Sequence, residues 1–200
     1  TPLVVLNIGG ISNFTYLDGK HTFYGSDCGP GNALMDIYCQ SFLNCPFDRK
    51  GEHAKKGEIH PRSLNQMLSH PFFKRRHPKS TGKEIFNISF IPKQLLKRSS
   101  YDILATLTEL TAICIAKSLR SQKKLPHQVI VCGGGLKNTF LINTIERRIN
   151  MRLVSTNEYG FHPQAIEAMA FGWMARQRFC KNTLIVKKNK GLVGTLTKSI

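Results

Sequence analysis

Val4-Val5-Leu6-Asn7-Ile8-Gly9-Gly10-Ile11-Ser12-Asn13-Phe14-Thr15-Tyr16-Leu17 reads as two β-branched and aromatic runs on either side of a glycine pair. That layout predicts a hairpin, with strands over residues 4–8 and 11–17 joined at Gly9-Gly10. Asp18-Gly19 then turns the chain into a third strand over residues 21–24, so it opens as a meander. Residues 26–32, Ser26-Asp27-Cys28-Gly29-Pro30-Gly31-Asn32, are dense in turn formers and read as a loop. A helical pattern follows over residues 33–43, with Leu34, Ile37 and Tyr38 on one side. The result is a strand-loop-helix junction.

Working outward, residues 44–100 form the least regular third, where short helical pieces such as 62–69 are interrupted by Pro46, Pro61, Pro71, Pro78 and Pro92. The strongest helix spans 101–120, capped by Ser99 or Ser100, with Leu104, Leu107, Ala112, Ile115 and Leu119 near a 3.6-residue period. A buried strand over 128–132 runs into Gly133-Gly134-Gly135 and a helix over 138–149. Another strand is expected at 152–155, and Pro163 suits the first turn of a helix over 164–179. The tail from Lys181 reads as weakly ordered. Alternation after residue 100 argues α/β and the opening meander argues a mixed sheet flanked by helices.

The 200 residues carry 41% hydrophobic and 20% charged side chains, enough to bury a core without disulfides. Cysteines 28, 39, 45, 114, 132 and 180 form no C-x-x-C pair and no cluster with histidine, so zinc and redox motifs are not signalled and reduced thiols in a cytoplasm are expected. No apolar run reaches membrane-spanning length, and no membrane partner is expected. The 29 basic and 12 acidic residues leave a net charge of +17, which makes a polyanion- or nucleic-acid-binding module the rival reading. The charge falls in scattered pairs, Lys55-Lys56, Arg75-Arg76, Lys97-Arg98, Lys123-Lys124, Arg147-Arg148 and Lys187-Lys188, without interleaved aromatics. A solvated basic surface is therefore preferred over nucleic-acid binding.

Glycine-rich junctions admit phosphate because backbone N–H groups can approach an anion. A P-loop fails around Gly82-Lys83, because His77 stands where its first glycine belongs and Glu84 follows the lysine. A dinucleotide fingerprint fails because position 138 is Asn138. Asp27, beside Cys28-Gly29-Pro30-Gly31-Asn32, places a carboxylate near backbone donors as a general base would need, or merely accepts turn N–H bonds or caps the next helix. Cys28 is a poor nucleophile candidate, having no histidine close in sequence.

In order along nearly the whole chain come Asn7-Ile8-Gly9-Gly10-Ile11-Ser12-Asn13, Asp27-Cys28-Gly29-Pro30-Gly31-Asn32, and Lys79-Ser80-Thr81-Gly82-Lys83-Glu84 with Phe86-Asn87. They are followed by Ala105-Thr106-Leu107-Thr108-Glu109-Leu110-Thr111-Ala112, Cys132-Gly133-Gly134-Gly135 with Asn138, Glu158-Tyr159-Gly160, and Glu167-Ala168-Met169-Ala170-Phe171. This series resembles the anhydro-N-acetylmuramic acid kinases of the actin-like, sugar-kinase and Hsp70 fold group. The resemblance implies a ribonuclease H-like lobe of the actin-like ATPase fold. It also implies ATP-dependent phosphorylation of 1,6-anhydro-N-acetylmuramic acid, with hydrolytic opening of the anhydro ring, to give N-acetylmuramic acid 6-phosphate for cell-wall recycling.

By the same resemblance Asp27 takes the proton of the attacking water. Asn7, Gly9, Gly10 and Asn13 form the hairpin that approaches the ATP phosphates, joined by Gly29, Gly31 and Asn32. Gly133, Gly134, Gly135 and Asn138 form the adenosine motif, and Glu158 and Glu167 stand near the sugar pocket. A hairpin turn, close strand-helix packing and helix-end or salt-bridge roles are the respective plainer readings. ATP and Mg are the implied cofactors, and no protein metal ligand is assigned. Family members are about twice as long, so residues 1–200 are expected to be a C-terminal lobe without its N-terminal lobe, inactive alone. A homodimer and a non-catalytic remnant stay open. Ser26, Cys28 and Leu136-Lys137 depart from the family pattern and bear on nucleotide fit.

Overall fold

The computed structural model describes residues 1–19, 23–180, 184–186 and 189–191. It divides into two units, Thr1–Pro163 and Gln164–Ile200. In the first, strands β1 (Leu3–Ile8), β2 (Ile11–Leu17), β3 (Phe23–Pro30), β4 (Gln128–Cys132) and β5 (Leu153–Ser155) form one sheet in the order β3-β2-β1-β4-β5. The β1–β2 and β2–β3 pairs are antiparallel, whereas β1–β4 and β4–β5 are parallel. The opening meander and mixed sheet expected from the sequence are both present.

Alternation sets the faces of the sheet. Val4, Leu6 and Ile8 of β1 and Ser12, Phe14 and Tyr16 of β2 are buried, while Val5, Asn7, Ile11 and Asn13 between them are only partly covered. The dominant helix is α5 (Ser100–Arg120), begun by Ser99, whose side chain accepts the Asp102 N–H. Fifteen of its 21 residues are buried, including Leu104, Leu107, Leu110 and Ile115. Shorter helices α1 (Ala33–Phe42), α2 (Pro61–Leu68), α3 (Pro71–Lys74) and α4 (Lys93–Leu96) precede it. Prolines at the first position start α2 and α3, where a missing N–H costs nothing. Helix α6 (Thr139–Ile149) packs along α5, and Glu109 of α5, almost wholly buried, pairs with Arg148 and, at 4.0 Å, with Arg147. That basic pair thus neutralises a buried carboxylate, which its exposed position in the sequence pattern did not signal.

Two expectations are corrected here. Residues 26–30 are strand and not loop: the ladder with β2 runs through to Pro30, overriding the turn propensity of Gly-Pro-Gly. The third strand accordingly starts at Phe23, and His21 and Thr22 of its expected span lie outside the described residues. In the second unit, helix α7 (Ile166–Phe179) begins three residues after Pro163, with Ala165 as its cap, so the proline does not occupy its first turn. Strands β6 (Leu184–Val186) and β7 (Asn189–Gly191) pair antiparallel within that unit. The expectation about the tail falls mostly on residues outside those described. Among the described residues no helix is long and apolar enough to cross a membrane.

Candidate active site at the carboxyl edge of the sheet

Strands β1, β3, β4 and β5 all run in one direction, so their carboxyl ends share an edge. At that edge lie the Gly9-Gly10 turn, the Gly31-Asn32 junction and the Gly133-Gly134-Gly135 bend. Order reverses between β1 and β4, since the chain leaves β1 toward β2 while β4 continues toward β5. Open α/β sheets take ligands outside the carboxyl ends at such a switch point. Cross-strand register puts Asp27, Asn13, Asn7 and Cys132 in one row, with Gly133 next in chain after Cys132. With strands about 4.8 Å apart, three steps separate Asp27 from Cys132 by roughly 14 Å. The aspartyl strand and the triglycine bend therefore bound one edge.

Backbone bonds fuse the hairpin turn to the β3–α1 junction. Gly31 and Ala33 N–H donate to the Gly10 carbonyl at 2.8 and 3.0 Å, and Asn32 N–H donates to Gly9 at 2.8 Å. The buried Ser12 hydroxyl donates to the Gly29 and Pro30 carbonyls, each at 3.2 Å, and Thr111 of α5 donates to Gly31 at 2.9 Å. Both turn carbonyls are thus occupied, and what the turn has left for a ligand is N–H. The junction leaves no room for a side chain at Gly31, whose Cβ would press into the Gly9 carbonyl. Gly133, at φ +92°, sits against Asn7 Oδ1, and a Cβ there would come 2.6 Å from the Ile8 carbonyl oxygen. Gly134, by contrast, faces open space. Hairpin and triglycine bend touch because neither carries a side chain between them.

Asp27 owes its placement to two devices. A register shift opposite Ser12/Asn13 leaves Cys28 as the extra residue of a bulge, which re-aims its neighbours. A strap from residues 77–81 then grips the strand: Asp27 N–H donates to the Lys79 carbonyl at 2.9 Å, Thr81 N–H to Asp27 Oδ2 at 2.7 Å, and Ser80 Oγ to the same oxygen at 3.2 Å. Among the described residues both side-chain bonds fall on Oδ2, which leaves Oδ1 without a partner there. Of the plainer readings of Asp27, acceptance of N–H bonds holds, from a distant strap and not from its own turn. Helix capping does not, because α1 is capped by Asn32 without a side-chain bond. The strap is itself anchored. Lys79 N–H donates to Ser26 Oγ, which lies 2.6 Å from His77 Nδ1, and the Lys79 ammonium donates to the Phe72 carbonyl while standing 4.4 Å over the Phe72 ring. Burial holds the His77 imidazole down at about 4 and lowers the Lys79 ammonium from its usual value. Thr81 Oγ1 is buried and finds no hydrogen-bond partner among the described residues. Sequence reading missed the strap's contacts with Asp27, which join residues more than fifty positions apart.

The other candidates are placed as follows. Burial pushes the Cys28 thiol up to about 12, which keeps it protonated and unsuited to attack. Asn138 caps α6, its Oδ1 accepting the Leu141 N–H at 3.0 Å. Glu158, exposed, lies 3.8 Å from Arg152 Nη2, and Glu167 stands in the first turn of α7 in the second unit. Among the described residues no three metal-ligating side chains cluster. The glycine turns supply backbone N–H groups, donors of the kind that suit a nucleotide's phosphates, and Asp27 adds a carboxylate at the same edge as an acceptor.

Comparison with known proteins matches the chain to a family. The family model for anhydro-N-acetylmuramic acid kinase matches residues 1–187. A relative of that name from gamma-proteobacterium EBAC31A08 is 42% identical over 99% of this chain and 56% of its own length. Another, from Hydrogenovibrio crunogenus, is 41% identical over 87% of this chain and 48% of its own. The chain thus spans about half the length of the curated relatives it matches. Among solved structures, the activator of 2-hydroxyisocaproyl-CoA dehydratase from Clostridium difficile, determined with bound ADPNP, superposes with a TM-score of 0.54 at 14% identity, covering 92% of this chain and 65% of the other. This likeness is one of fold alone, a mixed sheet flanked by helices of the actin-like type. On the family match and the close relatives together, the chain belongs to the anhydro-N-acetylmuramic acid kinase family.

Proposed function

We propose that residues 1–200 form the second lobe of a two-lobe kinase that phosphorylates 1,6-anhydro-N-acetylmuramic acid while water opens its anhydro bridge, for cell-wall recycling in a reducing cytoplasm. The observation that carries this reading is the row Asp27–Asn13–Asn7–Cys132, which sets one available carboxylate oxygen and two side-chain-free bends along the carboxyl edge of a single sheet. The six free cysteines suit a reducing compartment.

In this reading Asp27 Oδ1 accepts a proton from water as the water oxygen bonds to the anomeric carbon. The bond from that carbon to O6 breaks, and O6 takes the phosphoryl group. ATP, carried with Mg, would supply that group as the bond between its terminal phosphate and the bridging oxygen breaks, leaving ADP. Gly9 and Gly10 offer N–H to its phosphates, with Asn7 and Asn13 beside them. Gly29, Gly31 and Asn32 hold the turn in place, and Gly133, Gly134, Gly135 and Asn138 shape the adenosine side. Glu158 and Glu167 are assigned to the sugar side. Phosphoryl transfer depends on clamping donor and acceptor in one geometry, so this lobe alone should turn over negligibly.

The test supplies the chain with the N-terminal half of a longer relative, ATP and the anhydro sugar in water enriched in oxygen-18. The expected product is the 6-phosphate carrying the heavy oxygen on its anomeric carbon, read by mass spectrometry. Failure to form a 6-phosphate overturns the reading. In the same assay Ser80→Ala, which removes one of the two bonds on Asp27 Oδ2, should lower kcat by about tenfold. The KM for ATP should stay unchanged, because Ser80 orients the base and not the nucleotide.

A further inference from the structure

Lys83 has no role in the site so far, yet its side chain lies across the Gly9-Gly10 turn. A Cβ at Gly10 would come 3.0 Å from Lys83 Cε and 3.8 Å from its Nζ. Exposed lysines ordinarily extend away into water or pair with a carboxylate, whereas Lys83, although exposed, lays its stem back across the turn without such a pair among the described residues. Among the described residues no carboxylate stands within 4.0 Å of its ammonium, and the adjacent Glu84 carboxylate folds back over Gly82. The turn's carbonyls already receive N–H bonds, two at Gly10 from Gly31 and Ala33 and one at Gly9 from Asn32, and no hydrogen bond from the Lys83 ammonium to either is present among the described residues. A cation drawn over backbone donors is a repulsive arrangement until an anion lies between them.

The remaining charge nearby is Asp36, in the first turn of α1. Burial pushes its carboxyl up to about 6, against the pull of Lys83. Asp36 is thus close enough to attract the ammonium without engaging it. Lys83 also follows the strap that grips Asp27, so one segment serves base and turn alike.

We propose that Lys83 is a phosphate-binding residue, closing over the Gly9-Gly10 turn so that ammonium and turn N–H groups together hold the terminal phosphate of a nucleoside triphosphate. This deepens the kinase reading above and rests on its nucleotide site. A lone ammonium on a flexible stem suits a group that must be held and then released, acting as a point charge and not as a two-pronged clamp.

Equilibrium binding of ATP, inorganic triphosphate and adenosine to the chain, with and without Lys83→Met, tests it. The expected result is that Lys83→Met weakens ATP and triphosphate by about tenfold or more and leaves adenosine unchanged, while Lys83→Arg restores most of the loss. Equal triphosphate binding by wild type and Lys83→Met overturns the inference and leaves the nucleotide site standing. A wild-type chain that binds neither ATP nor adenosine overturns both. Circular dichroism and a urea transition matching wild type exclude misfolding, which an exposed lysine gives little reason to expect.

Discussion

Asp27→Asn, assayed with the N-terminal half present, should lose about two to four orders of magnitude in kcat, the usual contribution of a positioned general base. An asparagine oxygen can still accept the Thr81 N–H and Ser80 hydroxyl bonds that hold Oδ2. The thermal midpoint should therefore stay near wild type and ATP should still bind. What disappears is a group able to take the proton of water. Release of ADP coupled to sugar phosphorylation measures the loss directly. A fall of less than about tenfold would place the proton elsewhere and leave Asp27 a structural acceptor.

The second large effect separates two adjacent glycines. Gly133→Ala introduces a methyl group at φ +92°, facing the Ile8 carbonyl and the Asn7 side chain. Left-handed strain of about 1–3 kcal/mol and overpacking of about 1–3 kcal/mol together amount to some 2–6 kcal/mol. That is a large share of the roughly 5–15 kcal/mol that stabilises a domain. Urea unfolding should show the midpoint falling sharply. Gly134→Ala meets nothing within 4 Å, so its stability should change by no more than about 0.5 kcal/mol. If adenosine lies against that open face, the same methyl group should weaken adenosine binding by about tenfold. Stability loss at 133 paired with affinity loss at 134 is a pattern that close packing alone does not produce.

How much of this could be read beforehand depended on range. The hairpin of β1 and β2 was legible because its alternation and glycine pair are local, and α5 because its apolar spacing persists for five turns. Residues 26–30 were misread since their strand character comes from pairing with β2, and a bulge let glycine and proline into the ladder. Asp27 was found as a candidate, but its working geometry was not, because Ser80 and Thr81 reach it from more than fifty residues away. Lys83 looked like one charge among 29. Its position over Gly10 exists only after the strap folds back. The segment with Thr108, Glu109 and Thr111 entered the reading only as part of the family resemblance; that these polar side chains are buried, with Thr111 holding the junction at Gly31, came from the fold.

Because main-chain bonds join the hairpin turn to the β3–α1 junction, braced only by Ser12 and Thr111, and the triglycine bend lies against the same hairpin, the mould they form depends on few of the side chains around it. Descent can rewrite Ser26, Cys28 or Leu136-Lys137 and leave the cast intact. A gene in this lineage should therefore lose its footing through a single methyl group at Gly31 or Gly133 sooner than through many changes elsewhere, and surveys for decayed copies should look at those two codons first.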